Sequence, residues 1–336
     1  MKLIIFGSTG DLVKKKVFPA LGEFKELEII NLGRKDISIE QFTKNYCTNC
    51  SEELKKRISY RKIDFDKDFC LDCETLISAN EQMYFYISLP PKMVYLILSN
   101  LVKLKKHGIN FNVLIEKPFG FNLQEAQKLN ELIKQEKLEK QIYLADHYLF
   151  KPEILKLNQL NCKEVEITSL EKEGINKREY YNEVGAIKDM IQSHLMNILF
   201  KIIKKEELKE KMDINIKEIK IGQYKGYEEE ISQKSNTETY ARIKFILNLR
   251  KEKINSEIKV IFETGKKMKD KASWIKLDNK KIELISGKNP YISMFKAFFS
   301  RERDNFPSIE QSIYSWGIIE EFFKEIKNKH IPLEKY

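Results

Sequence analysis

Lys2-Leu-Ile-Ile-Phe6-Gly7-Ser8-Thr9-Gly10-Asp11-Leu12 is the stretch on which the fold turns. Its apolar run does not alternate with polar residues, which predicts a strand covered on both faces, as in a parallel sheet. Two glycines follow, and then a helical pattern runs through Lys16 to Gly22. Glycines permit a tight turn and let backbone N–H groups approach a pyrophosphate at the helix N-terminus, where the peptide dipoles favour an anion. Gly7, Ser8, Thr9, Gly10, Asp11 and Leu12 are the candidate cofactor cradle. The spacing is G-x-x-G, short of G-x-G-x-x-G, so the loop by itself is a weak motif.

Reading outward, a second strand over 27–32 ends in Gly33-Arg34-Lys35. A nicotinamide cofactor with a free ribose 2′-hydroxyl meets an acid at such a tip, whereas a 2′-phosphate needs cations. The tip carries no acid; Arg34 can grip a phosphate with two N–H groups and Lys35 can add a point charge, so NADP is preferred over NAD. Further strands are predicted at 60–65, 83–89, 111–115 and 141–145, with helices at 39–50, 52–58, 69–79, 93–107 and 124–136. The fourth strand runs into Leu89-Pro90-Pro91, where proline stops a strand. The fifth runs into Glu116-Lys117-Pro118, where an X-Pro bond can adopt cis at low cost. This strand–helix alternation predicts an α/β Rossmann domain over residues 1–145.

The second half changes character. Strand-like alternation at 163–170, 216–224, 240–249 and 257–264, and a hairpin over 272–285 turning at Asp278-Asn279, predict an α+β domain over 146–336 with a mainly antiparallel sheet. Helices are expected at 289–300 and 310–327. The sequence 185–200 places Ile187, Met190, Ile191, Leu195, Ile198 and Leu199 at helical intervals, with His194 inside the apolar stripe. A buried imidazole needs a partner at each nitrogen. It is then either a quiet core histidine or a base, and Asp146, at the end of the strand-like 141–145, is a candidate to orient it.

Composition narrows the function classes. The 336 residues carry a formal charge of +10, but lysines and glutamates are interspersed, as in Lys204-Lys205-Glu206-Glu207, and no aromatic-basic motif of an RNA binder is present. A solvated surface that attracts phosphorylated small molecules is expected, not a nucleic-acid surface. No apolar run reaches the roughly 20 residues of a membrane helix, and the start is too short for a signal peptide, so a cytoplasmic protein is expected. Cys47, Cys50, Cys70 and Cys73 form two C-x-x-C pairs, which leaves zinc, disulfides and free thiols open.

Five segments carry a family resemblance. G-S-T-G-D-L-V-K-K-K-V-F-P-A-L from Gly7, E-K-P-F-G from Glu116, D-H-Y-L-F-K from Asp146 and Y-Y-N-E-V-G-A-I-K-D-M-I-Q-S-H from Tyr180 are similar to motifs of the glucose-6-phosphate dehydrogenases. Ile309 to Trp316 resembles the family's closing D-E-x-x-x-x-W. The resemblance implies that His194 takes the C1 hydroxyl proton of the sugar while hydride passes to NADP, with Asp146 orienting the imidazole. It implies that His147, Tyr148 and Lys151 grip the sugar phosphate and that Glu171 and Asp189 meet its hydroxyls. Lys117 would lie between cofactor and substrate, Leu89 and Pro90 against the cofactor, and Lys266 and Lys271 over the sugar. No metal is implied. The family's sheet domain is longer and forms a homodimer interface, so the subunit count stays open. Phe150, Pro152 and Ser193 depart from the family pattern. The competing readings are a dehydrogenase of the glucose–fructose oxidoreductase type and a non-catalytic NADP-binding sensor.

Overall fold

The computed structural model describes residues 1–65, 82–157, 162–176, 178, 180–203, 213–250, 255–285, 287 and 289–336. The helix expected at 69–79, Cys70 and Cys73 lie outside the described residues. The chain divides into two compact units, residues 1–150 with 288–309, and residues 151–287 with 310–336.

In the first unit the strands are β1 (Lys2–Phe6), β2 (Glu28–Gly33), β3 (Ile58–Lys62), β4 (Met83–Ile87), β5 (Phe111–Ile115) and β6 (Ile142–Leu144). They form one sheet in the order β3-β2-β1-β4-β5-β6, parallel at every pairing. This is the doubly wound order in which ligands sit beyond the carboxyl ends of the strands. Every residue of β4 and β5 is buried, as expected for strands covered on both faces. Past the strand ends, Ser88 N–H donates to the Phe6 carbonyl (2.9 Å), Glu116 N–H to Ile87 (2.9 Å) and Ala145 N–H to Ile115 (2.8 Å). Gly7, Ser88, Glu116 and Asp146 thus follow one carboxyl edge.

Side chains cap several of the helices. Ser38 and Gln41 form a reciprocal capping box for Ile39–Tyr46, and Asn122 caps Leu123–Gln135 by accepting the Glu125 N–H at 2.8 Å. The expected helix 52–58 shortens to Glu52–Lys55, because Ile58 already pairs with Ile29 in the sheet. Pro290–Phe299 belongs with this first unit, not with the second domain expected from residue 146 onward. Aromatic packing explains that: Tyr84 meets Phe298 and Phe299 edge-on at 5.3 and 5.0 Å, and Arg303 lies 4.0 Å over the Tyr143 ring.

In the second unit the strands are β7 (Glu164–Leu170), β8 (Asp213–Gln223), β9 (Tyr240–Arg250), β10 (Asn255–Gly265), β11 (Ala272–Leu277), β12 (Lys280–Glu283) and β13 (Leu333–Lys335). Their order is β12-β11-β7-β10-β9-β8-β13. Pairing is antiparallel except for β7 with β10 and β8 with β13. Cross-strand charges order part of this sheet: Arg242 reaches Glu166 (3.9 Å), Glu218 (4.0 Å) and Glu263 (3.8 Å). Helices cover it elsewhere, with Phe322 of Ile309–Asn328 against Phe245 at 5.4 Å. The hairpin turns at Asp278, whose φ of 50° is left-handed, a conformation Asp tolerates.

Cys47 and Cys50 are disulfide-bonded to each other, with their Cα atoms 5.2 Å apart, which removes two thiolates from a four-sulfur zinc site. Among the described residues, no helix is long and apolar enough to cross a membrane.

Candidate active site

The glycine loop closes on itself, with Gly10 N–H donating to the Gly7 carbonyl at 3.1 Å. Gly7 has φ 86°, and a Cβ there would collide with the Ser88 carbonyl oxygen, so only glycine lets the loop lie against the β4 tip. Ser8 is fully buried and its hydroxyl oxygen has no hydrogen-bond partner among the described residues. An orphaned polar atom in a phosphate-type loop is a place where a ligand oxygen fits. Thr9 and Leu12 are half-buried, and Gly10 and Asp11 are exposed. The helix that follows winds as a π-turn over Val13–Val17.

Beyond β2, Arg34 and Lys35 are both exposed. Lys35 Nζ donates to the Tyr46 hydroxyl at 2.6 Å, which raises its pKa. Leu89 is half-buried and Pro90 exposed where β4 ends. Past β5, Glu116 is 8 % exposed, and the Tyr86 hydroxyl donates to it at 2.5 Å. Burial pushes its carboxyl above the usual range, with Tyr86, Tyr291 and Lys117 opposing that shift. Lys117 is half-buried and its bond to Pro118 is cis.

Asp146 is 1 % exposed and accepts the Tyr148 N–H at 3.0 Å, which stiffens the 3₁₀ turn His147–Phe150. The His147 ring stacks on Tyr291 at 5.3 Å with an interplanar angle of 18°. Tyr148 and Lys151 are half-buried, and Lys151 opens the helical turn Pro152–Leu155.

In the second unit, Tyr181–Ala186 breaks at Gly185 (φ 67°, ψ 178°) and continues as a π-helix over Ile187–Leu195, then as an α-helix over Met196–Ile202. The expected apolar stripe is buried, and His194 is 2 % exposed within it. Wide π-turns recur at functional sites. From the end of β10, Lys266 brings its ammonium 2.5 Å from Glu171 and 3.8 Å from Asp189. Glu171 follows β7 and Asp189 lies on the π-helix, so three separate elements build one cluster. Lys271 is exposed; of the two lysines, the fold buries Lys266.

Two family models match the chain. The family model "Glucose-6-phosphate dehydrogenase, NAD binding domain" matches residues 4–155, and "Glucose-6-phosphate dehydrogenase, C-terminal domain" matches residues 149–221. A Glucose-6-phosphate 1-dehydrogenase of Helicobacter pylori strain J99 is 30% identical over 74% of this chain and 69% of that protein. The chain belongs to the glucose-6-phosphate dehydrogenase family.

Its fold is that of the solved glucose-6-phosphate dehydrogenases. The enzyme from Mycobacterium avium superposes with a TM-score of 0.79 at 22% identity, covering 100% of this chain and 93% of that one. A glucose-6-phosphate dehydrogenase in complex with its substrate glucose-6-phosphate gives 0.78 at 20%, covering 100% and 93%.

Three residues of this glucose-6-phosphate dehydrogenase family member escape a reading of the sequence for chemistry. Tyr181 is 3 % exposed, its hydroxyl has no partner among the described residues, and Lys266 lies 5.9 Å from its ring centre. Burial, and then the Asp189 charge, holds its pKa well above the ordinary tyrosine value. Tyr336 donates its hydroxyl to the Lys266 carbonyl at 2.7 Å. Glu238 is buried at the start of the helix that carries His194. Tyr181 falls inside a quoted motif and was findable there; Tyr336 and Glu238 act through contacts that no local pattern encodes.

Proposed function

We propose that the protein oxidises glucose 6-phosphate at C1 to 6-phosphoglucono-lactone with NADP as hydride acceptor, the first step of the oxidative pentose phosphate pathway. The observation that carries the reading is the Lys266 cluster. Residues separated by 95 positions, Glu171 and Lys266, meet beside Asp189, and the family motifs assign these same three positions to the sugar.

In this reading His194 removes the C1 hydroxyl proton as hydride leaves C1, and Asp146 is the carboxylate that orients the imidazole. General base catalysis of this kind contributes about 10²–10⁴-fold. His147, Tyr148 and Lys151 hold the phosphate dianion, Glu171 and Asp189 accept sugar hydroxyls, and Lys266, with Lys271, faces the sugar. Gly7 to Leu12 hold the pyrophosphate, Arg34 and Lys35 the 2′-phosphate, Leu89 and Pro90 lie against the cofactor, and Lys117 stands between the two ligands. NADP supplies the hydride acceptor when bound. A homodimer through the second sheet, in the cytoplasm, completes the proposal.

NADPH formation by wild type and His194→Ala, with glucose 6-phosphate and glucose in parallel, tests it. Wild type is expected to use glucose far more slowly, since each charge-assisted bond to the phosphate contributes ~1.5–3 kcal/mol. The variant is expected to lose kcat while binding NADP normally. Failure of wild type to oxidise any sugar phosphate would instead favour an NADP-binding sensor.

A further inference from the structure

A carboxylate that neither the sugar cluster nor the glycine loop uses lies under the helix of Asp189 and His194. Glu238 is 8 % exposed. Its Oε1 accepts the Ile187 N–H at 3.0 Å, and its backbone carbonyl accepts the Ala186 N–H at 2.9 Å. First-turn amides have no partner within their own helix, so these bonds fix where the helix starts. Gly185 makes room for them: its φ of 67° and ψ of 178° are essentially confined to glycine. A Cβ on Gly185 would stand 2.5 Å from Glu238 Oε1.

The neighbours of Glu238 extend the grip in two directions. Thr237 Oγ1 donates to the Asn182 carbonyl at 2.6 Å, ahead of the Gly185 break. On the other side the Thr239 carbonyl accepts the Lys266 N–H at 2.9 Å. Thr239 Oγ1 also shares a 3.0 Å hydrogen bond with the Tyr336 hydroxyl, which donates to the Lys266 carbonyl. One three-residue segment therefore holds both the helix of Asp189 and the peptide of Lys266.

We propose that Glu238 is a positioning residue: its side-chain oxygen, seated against Gly185, sets the start of the Ile187–Leu195 helix and so keeps Asp189 and His194 in register with Lys266. The proposal rests on the reading of Asp189 and His194 given above.

Electrostatics agrees with the geometry. Burial raises the Glu238 carboxyl to about 7. Lys188 on the helix faces it as a cation, and Tyr181 and Tyr227 face it as neutral hydroxyls. With the folded pKa above the unfolded value of 4.5, its stability contribution is complete below 4.5 and is lost as pH rises through about 7. At pH 8 the charge therefore costs stability, and an amide of the same shape does not bear that cost.

The test compares wild type, Glu238→Ala and Glu238→Gln for kcat and KM with glucose 6-phosphate, for NADP affinity by calorimetry, and for thermal midpoint at pH 5 and pH 8. Glu238→Ala is expected to lower kcat/KM by about tenfold to a hundredfold, the size of a displacement near 1 Å, with NADP affinity unchanged. Glu238→Gln keeps the acceptor for Ile187 N–H. It is expected to stay within about threefold of wild-type kcat/KM, well short of the loss a displaced helix brings, and to melt higher than wild type at pH 8 but not at pH 5. If Glu238→Ala does not fold, Glu238→Gln still decides, because a loss of kcat/KM as its melting point rises overturns the proposal. Wild-type kcat/KM in Glu238→Ala overturns it too, whereas absence of turnover in wild type overturns the functional reading itself.

Discussion

Lys266 places its ammonium 2.5 Å from Glu171 Oε1 although the lysine side chain is only 5 % exposed, whereas that of Glu171 is 33 % exposed. An ammonium withdrawn from water is tolerable only when paired, and Asp189 supplies the second partner at 3.8 Å. Lys266→Met leaves two carboxylates facing each other. A stability loss of about 1–3 kcal/mol is expected, less than the ~3–5 of a fully buried pair because Glu171 reaches water. Urea denaturation measures it, and Glu171→Gln added to Lys266→Met should recover part of the loss. Kinetically, KM for glucose 6-phosphate should rise while NADP affinity stays as in wild type.

Gly7→Ala tests the cradle. The residue has φ 86°, and a methyl group there meets the Ser88 carbonyl, so the loop must leave the β4 tip or strain. Such strain costs about 1–3 kcal/mol. NADP affinity by titration calorimetry should fall at least about tenfold, the equivalent of 1.4 kcal/mol. Unchanged affinity would mean that the pyrophosphate lies elsewhere.

What was legible in the sequence was what neighbouring residues decide together. Lys2–Phe6 followed by Gly7 and Gly10 specifies strand, turn and helix within one window, and the His194 stripe lies buried where its spacing places it. The placement of 289–309 was not legible. It depends on Phe299 meeting Tyr84, whose hydroxyl donates to the Phe299 carbonyl across 215 residues, and on Asn289 donating to the Lys16 carbonyl across 273. Leu333–Lys335 is too short to show alternation, and it becomes a strand only because β8 offers an edge. Within the candidate site, Lys266 and Lys271 looked equivalent in a lysine-rich run, and only burial separates them. Glu238 sits in a polar stretch that reads as loop. Its partner Ile187 is 51 positions away.

Arg34→Ala and Lys35→Ala should differ. Lys35 is already engaged by the Tyr46 hydroxyl at 2.6 Å and lies 5.2 Å from that ring's centre, whereas the exposed Arg34 offers a planar fork suited to a phosphate. Loss of charge-assisted bonds worth ~1.5–3 kcal/mol each should raise the KM for NADP roughly ten- to a hundredfold in Arg34→Ala, and less in Lys35→Ala. The KM for NAD should barely move in either. Equal losses with both cofactors would place the 2′-phosphate away from the β2 tip.

Glu116→Gln should reveal the cost of a buried acid. Burial raises the carboxyl above its ordinary value of 4.5, even with Tyr86 and Tyr291 donating to it and Lys117 adjacent in sequence. A raised acid pKa means that the folded state holds the proton more tightly than the unfolded chain. Its stabilising contribution is complete below pH 4.5 and disappears as pH rises through the higher folded value. Glutamine keeps the shape and an acceptor for the Tyr86 hydroxyl but carries no proton to lose. The thermal midpoint of Glu116→Gln relative to wild type should therefore climb as pH rises from 4 and level off only above the higher folded value. A difference that stays flat across that range would show that Glu116 titrates alike in the folded and unfolded chains, with Tyr86 and Tyr291 fully offsetting its burial.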